Sequence, residues 1–343
     1  MFDGAEPTSK TVGVPTMSVV ICAYTEARWN DLVRSVGSVA TQTASPFEII
    51  VVADHNDGLL ARVRAELPDT VAAHNGEERG LSGARNSGVA AAQGEFVAFL
   101  DDDAVAEPDW LERLTGSYAS GVIGVGGAVL PLWIRGRPRS FPAEFDWVVG
   151  CTYEGMPKTT SRVRNFIGAN MSFRRDVFAG VGGFRSGVGR VGTRPVGCEE
   201  TELCIRALRR WPDATILYEP QARVRHVVPP NRAGWKYFAA RCYYEGLSKA
   251  IVARLWGSND GLATERAYTF RTLPRGVVRG VTDAVRGDVS GLGRSGAIVT
   301  GLSMTTAGYL VGLTRARTTP PLNGSGGARP AAAATQNRDS RHA

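Results

Sequence analysis

Three short stretches of this chain are apolar almost without interruption: Met17–Ala23, Glu48–Ala53 and residues 95–100. A strand with one wet face alternates apolar and polar residues, whereas a strand that is apolar throughout has to be covered on both sides. The segments between these runs carry helical periodicity. Trp29, Leu32, Val33, Val36 and Val39 fall at helical spacing in 28–40, and 59–67 reads as a helix that stops at Pro68. A short strand is expected near 70–73, and the Ala- and Gly-rich stretch 82–92 suits a helix packed closely on a sheet. This order predicts an α/β fold with a mostly parallel central sheet, helices on both faces and a ligand site beyond the carboxyl ends of the strands.

The later chain is more mixed. A strand is expected over 122–130, a helix from 197 to about 211, and separate strands over 215–218 and 223–228. A long helix over 232–255 carries Trp235, Phe238, Tyr243 and Leu247 on or near one face. No internal repeat and no hinge-like linker precedes residue 257, so one domain is expected over 16–257, followed by a basic helical extension over 258–317. Residues 1–15 and 318–343 lack apolar periodicity and read as a flexible N-terminal tail and a disordered C-terminal tail. No apolar run opens the chain, so no signal peptide is expected. The one membrane-like stretch, 297–313, is interrupted by Gly, Ser and Thr.

Each strand end carries polar chemistry. The sharpest is Asp101-Asp102-Asp103, which follows a fully apolar strand. Three adjacent carboxylates repel one another unless something neutralises them, and a hard divalent cation such as Mg2+ or Mn2+ does so through oxygen ligands. Alternate residues, Asp101 and Asp103, can point to one side of an extended segment. A solvated acidic turn is the competing reading; the position after a buried strand favours the cation. Asp54 ends the second run and reads equally as a turn residue or as an acceptor for a nucleotide base. Gly80, Ser82, Gly83 and Arg85 open a helix whose free amides can hold phosphate, although the pattern is neither a P-loop nor a GxGxxG sequence. Glu199, Glu200 and Glu202 open another helix, where acidic residues are favoured by the dipole. One of them can equally act as a general base. His226 beside apolar residues reads as a core histidine or as a further metal ligand.

Together these residues resemble family 2 glycosyltransferases of the GT-A fold. The resemblance rests on motif order over roughly 17–250: Val19 to Tyr24, Ile49 to Asp54, Gly83 to Gly88, Ala98 to Asp103, Ile167 to Arg174, Val181 to Phe184 and Glu199 to Leu203. It implies a single nucleotide-diphospho-sugar transferase domain that moves a sugar, with inversion, from a nucleotide sugar (UDP favoured) to a hydroxyl of a polysaccharide, glycolipid or lipid-linked glycan. By position, Ala23, Tyr24, Glu26, Asp54, Arg85 and Asp102 would bind the donor. Asp101, Asp103 and His226 would hold Mg2+ or Mn2+. Gly168, Ala169, Asn170 and Glu199 would border the acceptor or sugar, and Glu200 would be the catalytic base. Two departures stand out. Ala53 occupies the place of the first of two aspartates, and Glu199-Glu200 replaces the usual Glu-Asp pair. A degenerate, nucleotide-binding relative is the alternative, against which intact Asp101, Asp103 and Glu200 speak. A sugar-phosphate nucleotidyltransferase is less expected, because residues 22–30 hold no glycine and only Arg28.

Charge is unevenly spread. Residues 1–205 carry 19 Lys and Arg against 25 Asp and Glu, whereas 206–317 carry 18 against 7. The acidic part suits a cation site and the basic part an anionic partner, either a diphosphate or a lipid headgroup surface. The basic residues form no recognition motif, so no nucleic acid is expected. For 262–317, a segment lying on an anionic membrane and a helical layer packed on the domain both remain open. Five cysteines without CxxC spacing fit reduced thiols, hence a cytoplasmic enzyme, with the inner membrane face as a peripheral site.

Overall fold

The computed structural model describes residues 15–186, 197–257 and 266–315. The tails expected at 1–15 and 318–343 lie, but for residue 15, outside the described residues. The first half builds β1 (Met17–Ala23), α1 (Trp29–Ala40), β2 (Glu48–Ala53), α2 (Asp57–Glu66), β3 (Val71–His74), α3 (Leu81–Ala91) and β4 (Phe96–Asp101). There follow β5 (Ala104–Ala106), α4 (Trp110–Gly116), β6 (Val122–Trp133), β7 (Ser161–Arg162), β8 (Asn170–Arg174) and α5 (Arg175–Val181). The last elements are α6 (Glu199–Arg210), β9 (Thr215–Val228), α7 (Trp235–Trp256), α8 (Leu273–Val285) and α9 (Ser290–Arg315).

One sheet runs β3-β2-β1-β4-β8-β6-β9-β5, with β7 paired to β9. The expected parallel sheet is present in β3-β2-β1-β4. Beyond β4 the sheet is mixed, because β8 inserts antiparallel to both β4 and β6. The covered strands divide their side chains between two cores. Val19, Ile21 and Val51 meet Leu32, Val36 and Val39 of α1 on one face. Val20, Ile50, Val97 and Phe99 meet Phe178, Leu203 and Ala207 on the other. Each such side chain contributes roughly 1.5–3 kcal/mol by leaving water, which is why these strands show no polar alternation.

One expectation is corrected. The strands read separately at 215–218 and 223–228 are one strand, β9. Its ladder with β6 passes from Gly127↔Glu219 to Ala128↔Arg223, so Pro220 to Ala222 form a bulge rather than a turn. The buried stripe of α7 keeps one of the aromatics and is otherwise built of small residues. Phe238, Cys242, Gly246 and Ala250 are buried, whereas Trp235 is exposed. The small residues are there because α9 lies directly on α7. A Cβ on Gly246 would collide with the Thr305 carbonyl oxygen, and one on Gly308 with that of Tyr243. Gly246→Val is therefore expected to cost about 1–3 kcal/mol by overpacking. A urea midpoint unchanged from the parent would show that α9 is not held in this way.

Candidate active site

The carboxyl ends of β1, β2 and β4 converge on one cleft, which divides into two cavities. The smaller, about 520 Å³, is bordered by Ala23, Tyr24, Asp54, the first turn of α3 and all three aspartates after β4. The larger, about 800 Å³, is bordered by Gly168, Ala169, Glu199, Glu200 and side chains from α7 and α9. Asp101, His226 and Arg232 border both.

Strand pairing explains how residues far apart in sequence meet here. β5 follows the aspartates and pairs with β9, which sets Ala104 opposite His226. The Val227 amide donates to the Asp103 carbonyl oxygen at 2.9 Å. The His226 Nε2 then lies 3.1 Å from Asp103 Oδ1, and the other ring nitrogen faces the Cys151 thiol at 4.0 Å. Burial alone would lower the imidazole's pKa, but the Asp103 carboxylate outweighs it and holds the ring well above its ordinary value. Burial likewise opposes ionisation of Asp103, yet His226 and Arg28 keep it well below the carboxylate range. Asp102 is treated differently. Burial pushes it up to about 8, and its carboxylate neighbours add to the shift that Arg28 only partly offsets.

Arg28 and Arg232 were not picked out from the sequence, yet they neutralise this cluster. Arg28 reaches Asp103 at 2.7 Å and Asp102 at 3.0 Å, and its guanidinium lies over the Tyr24 ring. Arg232 approaches Asp103 at 3.8 Å. Neither carries a local signal; only the fold brings the turn before α1 and the segment before α7 to one point.

The acidic cluster suits a divalent cation. One ligand atom each from Asp101, Asp103 and His226 lie within 4.8 Å of one another. Asp102 Oδ2 is buried with the Arg28 ion pair at 3.0 Å but no hydrogen bond, and Arg28 Nε is buried without a hydrogen-bond partner. A buried carboxylate oxygen held by one arginine alone and an arginine nitrogen left unpaired, beside a hard donor set, are what an incoming cation and anion would satisfy. His226 would have to release its shared proton to ligate.

Several expected donor residues sit apart from the role read from the sequence. Asp54 borders the smaller cavity, but its carboxylate already accepts from Asn75 Nδ2 at 2.7 Å and the Gly80 amide at 3.0 Å. It braces the loop ahead of α3, which borders the cavity at Arg79 and Gly80. Glu26 is exposed on a turn and borders neither cavity. Arg85 does not border the smaller cavity. It is 2% exposed and lies under the larger, donating to Glu199 Oε1 at 2.8 Å and to the Gly168 carbonyl at 2.9 Å, with Asp101 Oδ1 at 3.6 Å. Asn170 is the clearest correction. It is fully buried, donates to the carbonyls of Ala128 and Ala222, and accepts from the Trp110 indole, so it ties the sheet together rather than facing a pocket.

The two glutamates at the start of α6 have diverged. Cys198, ahead of them, takes a left-handed φ of 77°, a strained conformation for a non-glycine residue that sets the helix entry. Glu199 points inward onto Arg85. Glu200 borders the larger cavity without a cationic partner among the described residues, and burial together with the Glu199 charge pushes it up to about 8. The far wall holds Arg241, Glu245 and Lys249 one helical turn apart, with Glu245 between its two cations at 2.7 and 3.2 Å. All five cysteines are free, and burial pushes the Cys22 thiol up to about 12, so it is no nucleophile at neutral pH.

Residues 18–182 match the pattern of glycosyl transferase family 2. A relative from Haloferax volcanii, glucosyl-dolichyl phosphate glucuronosyltransferase, is 38% identical over 245 residues, 70% of this chain and 78% of the relative. Succinoglycan biosynthesis protein ExoM of Rhizobium meliloti is 25% identical over 67% of this chain and 72% of its own length. Among solved structures, mannosyltransferase PcManGT from Pyrobaculum calidifontis, in complex with GDP-Man and Mn2+, superposes with a TM-score of 0.53 at 16% identity, covering 86% of this chain and 88% of that one.

Proposed function

The chain belongs to glycosyl transferase family 2, and from that premise we propose that it transfers a sugar, with inversion, from a UDP-sugar in the smaller cavity to a hydroxyl of a lipid-linked glycan in the larger. The observation that carries this reading is the pair of cavities meeting at Asp101, His226 and Arg232, with Glu200 on the larger side. One compartment without the other would suit a binding protein; two that share a wall suit a transfer between their contents.

The chemistry follows from the side chains. The α3 N-terminus borders the smaller cavity at Gly80 and Leu81, so its positive dipole end favours a diphosphate there, and Arg28 and Arg232 bring positive charge to the same place. Asp101, Asp103 and His226 would hold Mg2+ or Mn2+, which supplies charge neutralisation for the departing diphosphate. Glu200 accepts the proton of the acceptor hydroxyl. That oxygen bonds to the anomeric carbon as the carbon–oxygen bond to the diphosphate breaks, and the electron pair leaves on the nucleoside diphosphate. Glu199, neutralised by Arg85, is the poorer base. Basic groups and an apolar lining (Trp147, Tyr268, Leu302, Tyr309) in the larger cavity suit an acceptor with both a phosphate and a hydrocarbon part. The Haloferax relative is named for such an acceptor and for a glucuronosyl group, which makes a UDP-uronic acid the first donor to try. Work on a lipid-linked acceptor would put the enzyme in the cytoplasm at the inner membrane face.

Titration of UDP-sugars onto the protein tests the donor site. With Mn2+ one donor is expected to bind, and chelator or Asp103→Ala is expected to weaken it at least about tenfold, the loss of one charge-assisted contact. Donor binding that is indifferent to both treatments would remove the metal from the reading.

A further inference from the structure

The side of α8 and α9 that faces away from the domain carries apolar side chains that nothing covers. Val278, Val281 and Val285 of α8 are exposed, Val285 to 85%, and Val289 in the following link to 77%. On α9, Leu292 and Val299 recur at seven-residue spacing with exposed Thr306, and Leu310 follows one turn on. Phe270, 78% exposed at the head of this layer, also borders the larger cavity, as does Thr306. The apolar band therefore runs up to the rim of that cavity.

The charge around the band has one sign. Residues 266–315 hold seven Arg and two Asp, and both aspartates, Asp283 and Asp288, are bound by Arg294 at 2.7 and 3.0 Å. Arg271, Arg275 and Arg286 are exposed and have no ion-pair partner among the described residues. Valine and leucine between unpaired arginines match a surface that is apolar below and anionic above.

Residues 290–314 of α9 are long and apolar enough to cross a membrane. The packing argues otherwise. Gly293 lies against Ser140, Gly301 against Phe145, Gly308 against Tyr243 and Gly312 against Ala250, so the helix is clamped to the domain from end to end. It can offer one face, but it cannot enter hydrocarbon lengthwise without tearing those contacts. We propose that the outer face of α8 and α9 seats the protein on the interface of an anionic bilayer, with the rim of the larger cavity beside the surface. Nothing in this depends on which sugar or acceptor is used.

Sedimentation of the full chain with vesicles of phosphatidylcholine, with and without phosphatidylglycerol, tests the proposal. Two variants are compared, Val278→Ser/Val285→Ser/Leu292→Ser and Arg271→Gln/Arg275→Gln/Arg286→Gln. All six positions are exposed, and unchanged circular dichroism serves as the folding control. The parent is expected to sediment with the anionic vesicles and each triple variant to partition at least about tenfold more weakly. A parent that stays in solution overturns the proposal, and so does an apolar triple variant that partitions like the parent, since binding would then be unspecific charge attraction. A parent dimer that the apolar triple dissociates overturns it as well, because a second copy would then cover the face.

Discussion

Replacing Glu200 by glutamine is expected to lower kcat by about 10²–10⁴-fold, the range for loss of a positioned general base, while donor affinity stays unchanged. Glutamine keeps the size and polarity of the side chain and removes only the ability to accept a proton. The prediction also has a pH signature. Glu200 is pushed up to about 8 by burial and by Glu199. A base must be deprotonated to act, so below that pH the competent fraction falls about tenfold per unit and above it the profile levels off. Asp102 is held at about the same value, so the limb is assigned to Glu200 only if it disappears in Glu200→Gln. Steady-state kinetics across pH 6 to about 9.5, a span bracketing the shifted value, checks both statements. A variant with parental kcat would move the base elsewhere, and a variant that keeps the rising limb would hand that limb to another group.

The second large effect is on stability. Arg85→Met is expected to cost about 3–5 kcal/mol, as when one partner of a buried ion pair is removed. Glu199 is 4% exposed and its Oε2 already lacks a partner, so loss of Arg85 leaves a bare carboxylate in the interior. Gly168 loses its carbonyl donor at the same time. The double variant Arg85→Met/Glu199→Gln is expected to recover more than half of the loss, because the stranded charge is gone. Urea unfolding of the single and double variants measures this. A single-variant cost below about 1 kcal/mol, the worth of a surface pair, would mean that Arg85 is solvated in solution.

The strands that bear the cleft were legible because burial on both faces leaves no freedom in their composition. The acidic triplet was legible for the opposite reason, since like charges placed together need a partner from outside the segment. What escaped was whatever depends on distant pairing. Arg28 and Arg232 are ordinary surface residues until β1 pairs with β4 and β5 with β9. Arg85 looked like a phosphate ligand because it opens a Gly-rich helix, but α3 turns it inward onto Glu199. Asn170 sits in a motif that suggests a pocket, yet β8 lies between β4 and β6 in the middle of the sheet, where its side chain meets neighbouring strands and the Trp110 indole of α4. Glu219-Pro220-Gln221 reads as a turn, and only a partner strand able to skip three residues reveals a bulge.

The wall between the two cavities has a thermodynamic consequence. Asp101, His226 and Arg232 face both compartments, so a ligand that rearranges their charges on one side alters the affinity of the other side. The two equilibria form a closed cycle. Whatever factor the donor imposes on acceptor binding, the acceptor must impose on donor binding. Titrating either substrate in the presence of the other would read that single factor twice, and it sets whether the pair assembles in a preferred order or at random.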